Sequence, residues 1–173
     1  DWSSDVCSSD LESFADPMPD QSLAGAAGQA GLLVLRSFGK FYGLAGLRLG
    51  FALGAAEDIA RLKDLSGPWP VSGPAIEVAT LALHDRAWAK TTTARLAGEV
   101  VRMDEICTQL GWTPLGGTPL FRLYATPDAQ QAQDHLARAH IWSRIFPYSQ
   151  SWIRLGLPGD EAEWARMAAL AQG

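Results

Sequence analysis

Four glycines fall within the thirteen residues Phe38-Gly39-Lys40-Phe41-Tyr42-Gly43-Leu44-Ala45-Gly46-Leu47-Arg48-Leu49-Gly50. Each glycine costs a helix interior about 1 kcal/mol relative to alanine, so this stretch does not form a regular helix. It reads as a loop that turns tightly and brings backbone close to another group. The run from Gly31 to Ser37 is short, apolar and rich in branched residues, and it predicts a buried strand before the loop. Arg48 to Leu53 predicts a strand after it. Any fold for this chain must therefore present Lys40 on a glycine-hinged turn between two strands.

The flanking segments follow ordinary patterns. Residues 56–65 carry Ile59, Leu62 and Leu65 at helical spacing. Breakers from Ser66 to Gly73 end that helix, and Pro74 is placed to open the next, over 74–83. A longer helix over 85–110 stops at Gly111. Residues 112–115 and 120–124 predict short strands about a Gly116-Gly117 turn. A helix over 128–140 places Ala132, His135, Leu136 and Ala139 on one face, and strands follow at 141–146 and 152–157. Asp160-Glu161-Ala162-Glu163 has capping-box spacing, with Asp in place of Ser or Thr. Trp164, Met167, Ala168 and Leu170 then form an apolar helix face. The expected division lies near residue 84. Residues 12–84 hold too few strands to close an ordinary sheet alone, whereas residues 85–173 read as an α+β unit.

The first eleven residues, DWSSDVCSSDL, show neither helical nor strand period. They resemble a translated sequencing-adapter or vector scar, so native sequence is expected to begin near Glu12, with an upstream part missing.

Composition removes several classes of function. Apolar residues make up 47 % and charged residues 19 %, as in globular proteins. The net charge is -5 and no basic stripe interleaves with aromatics, so nucleic acid is not an expected partner. No apolar run approaches the roughly 20 residues of a membrane helix, and no signal peptide is visible. Cys7 and Cys107 make neither a disulfide framework nor a zinc site. His84, His135 and His140 lack ligand spacing, so no metal is expected. A reducing cytoplasm fits this cysteine usage. Trp69, Tyr148 and His84 are expected to pack, Cys107 to lie in the core, and Arg122 and Arg144 to be solvated, with contact to a substrate phosphate as the alternative for either arginine.

Chemistry concentrates in Ser37, Lys40 and Arg48. A phosphate dianion needs a guanidinium, hydroxyls and backbone N–H groups, and a lysine on a fixed turn beside it can act as an amine catalyst. The P-loop pattern fails because Phe41 follows Gly39-Lys40, and the dinucleotide pattern fails because Gly43-x-x-Gly46 has no leading glycine. Taken singly, each residue also has an ordinary reading: surface lysine, structural ion pair or loop cap.

The whole string Ser-Phe-Gly-Lys-Phe-Tyr-Gly-Leu-Ala-Gly-Leu-Arg-Leu-Gly resembles the lysine signature of class I/II aminotransferases, with the Leu-Ala-Gly-Leu-Arg-x-Gly segment shared by members close to histidinol-phosphate aminotransferase. The resemblance covers residues 12–173. It implies an α/β fold-type I pyridoxal phosphate enzyme: a partial large domain over 12–84 and a small α+β C-terminal domain over 85–173. It implies that Lys40 carries pyridoxal 5'-phosphate as a Schiff base, that Ser37 and Arg48 hold the cofactor phosphate, and that Arg154 grips the substrate carboxylate. Gly39 stands where many relatives have a second hydroxyl residue. A homodimer is implied for the full-length parent.

The family usually carries Asp-Glu-x-Tyr/Phe before the lysine strand, its Asp pairing with the cofactor's pyridine nitrogen. Glu12-Ser13-Phe14 matches the end of that pattern, and Leu11 stands where the Asp is expected. Phe14 replaces a tyrosine found in many relatives. The chain as written is therefore expected to be inactive. Ser66 to Pro74, Arg154 to Gly159 and Glu12 to Asp16 are most similar to threonine-phosphate decarboxylases of cobalamin biosynthesis, which implies a small amino-acid phosphate substrate. A histidinol-phosphate-type aminotransferase and a non-catalytic truncated module are the alternatives.

Overall fold

Strand pairing in the first part of the chain is built around the run that precedes the glycine loop. The structure, a computed structural model, describes residues 8–171; Cys7 lies outside them. Two compact units divide the chain, one up to Ala89 and one from Lys90. The change falls inside the helix over Arg86–Gln109; the division expected from the sequence lay near residue 84.

In the first unit, β1 (Ser8–Glu12), β2 (Leu32–Ser37) and β3 (Gly50–Leu53) form a three-stranded sheet in the order β1-β2-β3. β1 runs parallel to β2, with Leu11 opposite Leu35 and Glu12 opposite Arg36. β3 runs antiparallel to β2, with Ser37 opposite Gly50. The absence of period in residues 1–11 did not announce β1. A short strand held by backbone bonds needs no alternating pattern. Helices α1 (Ala56–Ser66) and α2 (Gly73–His84) follow the expected spacing. Ser72 caps α2 by accepting from the Ala75 amide, and Pro74 sits in its first turn.

Helix α3 (Arg86–Gln109) buries Thr92, Leu96, Met103, Ile106 and Cys107, one stripe of a long amphipathic helix. Gly111, at φ 79°, ends the turn beyond it. In the second unit, β4 (Thr113–Thr118), β5 (Phe121–Ala125), β6 (Arg144–Phe146) and β7 (Ser149–Gly156) form an antiparallel sheet in the order β4-β5-β7-β6. Gly116 and Gly117 lie within β4, not at its turn, and a bulge falls between Pro114 and Gly116. Only glycine fits at 117, where a Cβ would stand 2.3 Å from the Phe121 carbonyl oxygen.

Helices α4 (Ala129–Arg138) and α5 (Glu161–Leu170) are capped by Asp128 and Asp160, which accept from the amides of Gln131 and Glu163. Glu163 reaches back to the Gly159 amide at 2.6 Å, one residue beyond the position a standard capping box uses. The core of this unit joins α3, α4 and α5 to the sheet through Met103, Cys107, Tyr124, Leu136, Ile153 and Met167.

Several expectations on single residues are corrected. Trp69 is 91 % exposed and His84 is exposed, its Nδ1 2.7 Å from the Thr80 carbonyl, so neither is a core residue; Tyr148 is 75 % exposed yet packs its ring against Phe146 and Trp152. Arg122 is not solvated. It makes two hydrogen bonds to Asp104. Among the described residues no helix is long and apolar enough to cross a membrane.

Candidate active site

The loop after β2 is anchored at its two ends. The Phe38 amide donates to the Leu49 carbonyl at 3.3 Å, and the Leu44 amide to the Phe38 carbonyl at 3.2 Å. Between these bonds the chain turns back through Lys40, whose carbonyl accepts from the Gly43 amide at 3.0 Å, with Gly43 at φ 68°. Aromatic rings hold the turn from below. Phe38 stacks on Tyr42 at 4.3 Å, and Trp88 packs edge-on to Phe41 at 5.3 Å. Phe38 and Phe41 are buried, so the residues on either side of Lys40 fix its backbone while its side chain stays exposed.

A cavity of about 310 Å³ opens beside this turn, lined by Arg36, Ser37, Gly39, Lys40, Ala45, Arg48, Leu49 and Gly50. Three of the four residues singled out from the sequence thus share one concave surface. The Ser37 hydroxyl accepts from the Gly39 amide at 3.2 Å, which orients it in the loop. Arg48 lies in the left-handed region at φ 52°, ψ 40°, just after a single 3₁₀ turn over Ala45–Leu47, and its guanidinium donates to the Ala45 carbonyl at 3.4 Å. Gly39 makes the close approach possible, since a Cβ there would stand 3.1 Å from the Ala45 Cα. A hydroxyl, a guanidinium and an amine around one hollow can bind a phosphate dianion and offer the amine to a carbonyl.

Arg154, the fourth, stands on β7 in the second unit. Its neighbours Ile153 and Leu155 are buried, so strand alternation sends Arg154 to the opposite face. Its guanidinium lies 4.9 Å above the Phe121 ring. Arg144 is its cross-strand partner, and both line a second cavity of about 610 Å³ with Gln133, Trp142, Ser143, Ile145 and Gly156.

Two further residues belong to the lysine site and were not legible as members of one cluster. The Phe14 ring lies under Lys40, its centroid 5.6 Å from Nζ. Arg36 lines the cavity wall, and its guanidinium is held by Glu12 and Asp16. Twenty-four residues separate Glu12 from Arg36, and only the parallel β1–β2 register brings them together. Glu12 is buried, which on its own would raise its carboxyl. The Ser22 hydroxyl, the Leu23 amide and the Arg36 charge outweigh that effect and hold it below the ordinary value. Burial and the nearby Asp16 carboxylate push the Tyr42 hydroxyl up. Leu11 falls two residues from Ser37 in register, on the face from which Ser37 projects, and is 69 % exposed.

The chain is 46 % identical over 162 residues to the threonine-phosphate decarboxylase of Pseudomonas aeruginosa, covering 94 % of this chain and 49 % of that protein. It is 43 % identical to a threonine-phosphate decarboxylase of a Sinorhizobium species, over 93 % of this chain and 48 % of the relative. It therefore spans about half the length of the curated relatives it matches. The histidinol-phosphate aminotransferase of Clostridium acetobutylicum superposes with a TM-score of 0.84 over 95 % of this chain and 53 % of that one, at 20 % identity. The Sinorhizobium meliloti histidinol-phosphate aminotransferase, solved with pyridoxal-5'-phosphate, gives 0.75 over 95 % of this chain and 46 % of its own, at 25 % identity. These likenesses show a fold-type I architecture, with part of a large domain followed by a small C-terminal one. The profile of the aminotransferase class I and II family matches residues 6–169, and the chain belongs to that family.

Proposed function

We propose that this chain is the lysine-bearing part of a pyridoxal phosphate-dependent decarboxylase that converts L-threonine O-3-phosphate to aminopropanol phosphate, a building block of cobalamin. The supporting observation is the 46 % identity to a threonine-phosphate decarboxylase across 94 % of the chain. The histidinol-phosphate aminotransferase of Archaeoglobus fulgidus reaches 33 % over a shorter 101-residue match. In this reading the parent enzyme is a cytoplasmic homodimer and residues 1–11 are non-native.

The donor set of the first cavity suits pyridoxal phosphate. Arg48 and Ser37 would hold its phosphate, and the Lys40 amine would hold its aldehyde carbon. When bound, the cofactor supplies an electron sink for the pair left at Cα when carbon dioxide departs. The remaining work belongs to the protein. Arg154 grips the substrate carboxylate as a planar fork before the C–C bond breaks. The Lys40 amine, once freed by the substrate amine, would deliver a proton to Cα in the place left by carbon dioxide, and would then serve again as the group that holds the cofactor. An aminotransferase would instead use the same lysine to take the proton that Cα already carries.

A carboxylate partner for the cofactor's ring nitrogen keeps that nitrogen protonated. Leucine at position 11 cannot do so, and the chain as it stands is proposed to be inactive. Reduction with borohydride after loading with pyridoxal phosphate tests the cofactor site: the label belongs on Lys40, not on Lys63 or Lys90, the other two lysines. Fusing the N-terminal half of the Pseudomonas relative and restoring aspartate by L11D tests the reaction. Carbon dioxide release from threonine phosphate without a 2-oxo acid is the expected result. Turnover only with a 2-oxo acid acceptor would replace this reading with an aminotransferase.

A further inference from the structure

Glu12 and Asp16 bound a five-residue segment with Phe14 at its middle, and a turn within it is closed by the Ala15 amide donating to the Glu12 carbonyl at 3.4 Å. One guanidinium holds both ends: Arg36 Nη1 donates to Glu12 Oε2 at 3.0 Å, and Nη2 donates to Asp16 Oδ1. Ser22 completes the clasp, donating to Glu12 Oε2 at 2.6 Å and accepting from Arg36 Nη1 at 3.1 Å. The face of Phe14 presented by this turn is the one beneath Lys40 Nζ. Arg36 also precedes Ser37 directly, so the same residue is part of the strand that feeds the lysine loop.

We infer that Arg36 is a positioning residue: by clasping Glu12 and Asp16 it sets Phe14 as the platform that aims the Lys40 amine into the phosphate-binding hollow. Two carboxylates already match the guanidinium charge, so Arg36 is not a second phosphate ligand like Arg48. Its contribution passes through Phe14. An aromatic face attracts an ammonium and gives a long flexible side chain one preferred direction. Leucine at 14 would fill similar space without that face, and tyrosine would keep it.

The meaning of Lys40 in this inference rests on the proposed function, but its geometry does not, and two measurements separate them. The first is cofactor-free: the ring-current displacement of the Lys40 ε-methylene protons in the full 173-residue chain. It is expected in the wild type and in F14Y, lost in F14L, and at least halved in R36M. D16N, which frees only one end of the clasp, should give an intermediate loss and guards against an unfolded R36M. The second is borohydride labelling by pyridoxal phosphate, read as Lys40 over Lys63 and Lys90. F14L and R36M should each lower that ratio at least threefold, and the double variant should fall no further than F14L alone. A ring-current shift unaffected by R36M and D16N in folded protein overturns the inference, as does an R36M labelling loss that persists in full on the F14L background. A wild-type chain with the ring-current pattern but no Lys40 preference overturns the proposed function and leaves the clasp standing.

Discussion

The Tyr124 hydroxyl donates to Asp104 Oδ1 at 2.7 Å, tying the one fully buried residue of β5 to helix α3. Arg122, two residues earlier on β5, grips both oxygens of the same carboxylate at 3.0 and 2.8 Å. One acidic side chain thus serves two strand residues. Y124F removes one hydrogen bond and is expected to cost about 1 kcal/mol. D104A strands a buried hydroxyl and a mostly covered guanidinium together, and is expected to cost about 2–3 kcal/mol. Urea unfolding of both variants measures the difference. Equal losses would mean that the carboxylate is not the hub.

Cys107 is fully buried against the same cluster. Burial is the main reason its thiol is pushed up to about 12, with the Asp104 charge adding to it against a hydrogen bond with Tyr124. A thiol of this kind is almost wholly protonated near neutrality and unreactive. Maleimide at pH 8 should leave the Cys107 peptide unlabelled in the native protein and label it in step with unfolding across a urea series. Labelling of native protein at the rate of a free thiol would contradict the packing described for α3.

Acid should loosen the β1–β2 clasp. Because the Glu12 carboxyl is held below its ordinary value, the folded state binds its proton less readily than the unfolded state does. Its stabilising contribution is therefore complete above about pH 4.3, the unfolded value, and is lost as the pH falls through the lower folded value. Asp10 works in the opposite sense, because burial and the adjacent Glu12 raise its carboxyl. Thermal midpoints measured from pH 7 to pH 3 in a D10N background should decline less steeply at the acid end when E12Q is added. Parallel curves with and without E12Q would refute the assignment.

Serine in place of Gly39 should not simply add a phosphate contact. The new Cβ would meet Ala45 Cα at 3.1 Å and Ala45 Cβ at 3.2 Å. Crowding of this kind typically costs about 1–3 kcal/mol. G39S should lower the thermal midpoint, and A45G, which removes one of the two contacts, should restore part of the loss. A G39S chain as stable as the wild type would show that the 38–45 loop yields freely.

Local signals made much of this fold legible. β2 announced itself as an apolar run, the helices by spacing, and two of their starts by Pro74 and the capping-box spacing at Asp160. Ser37, Lys40 and Arg48 could be grouped because a single short loop carries all three. What escaped depended on pairing across long separations. Nothing near Arg36 names Glu12 as its partner, and nothing near Arg122 names a carboxylate on α3. The Gly116-Gly117 pair misled because glycine marks both turns and bulges, and here the close Phe121 carbonyl selects the bulged strand. Trp69, placed at φ 56° and 91 % exposed, shows that aromatic character alone does not place a residue in a core.

Arg48 occupies a backbone conformation that favours glycine, at φ 52°. Holding a residue with a Cβ there stores roughly 1 kcal/mol or more of local strain. Glycine at 48 would release that strain and remove the cation facing the hollow; lysine would keep the strain and lose the fork. R48G is thus expected to raise the thermal midpoint while weakening pyridoxal phosphate binding at least tenfold, read by direct titration. At this one position selection for a sturdier chain and selection for a tighter grip pull in opposite directions, so arginine there records which of the two prevailed.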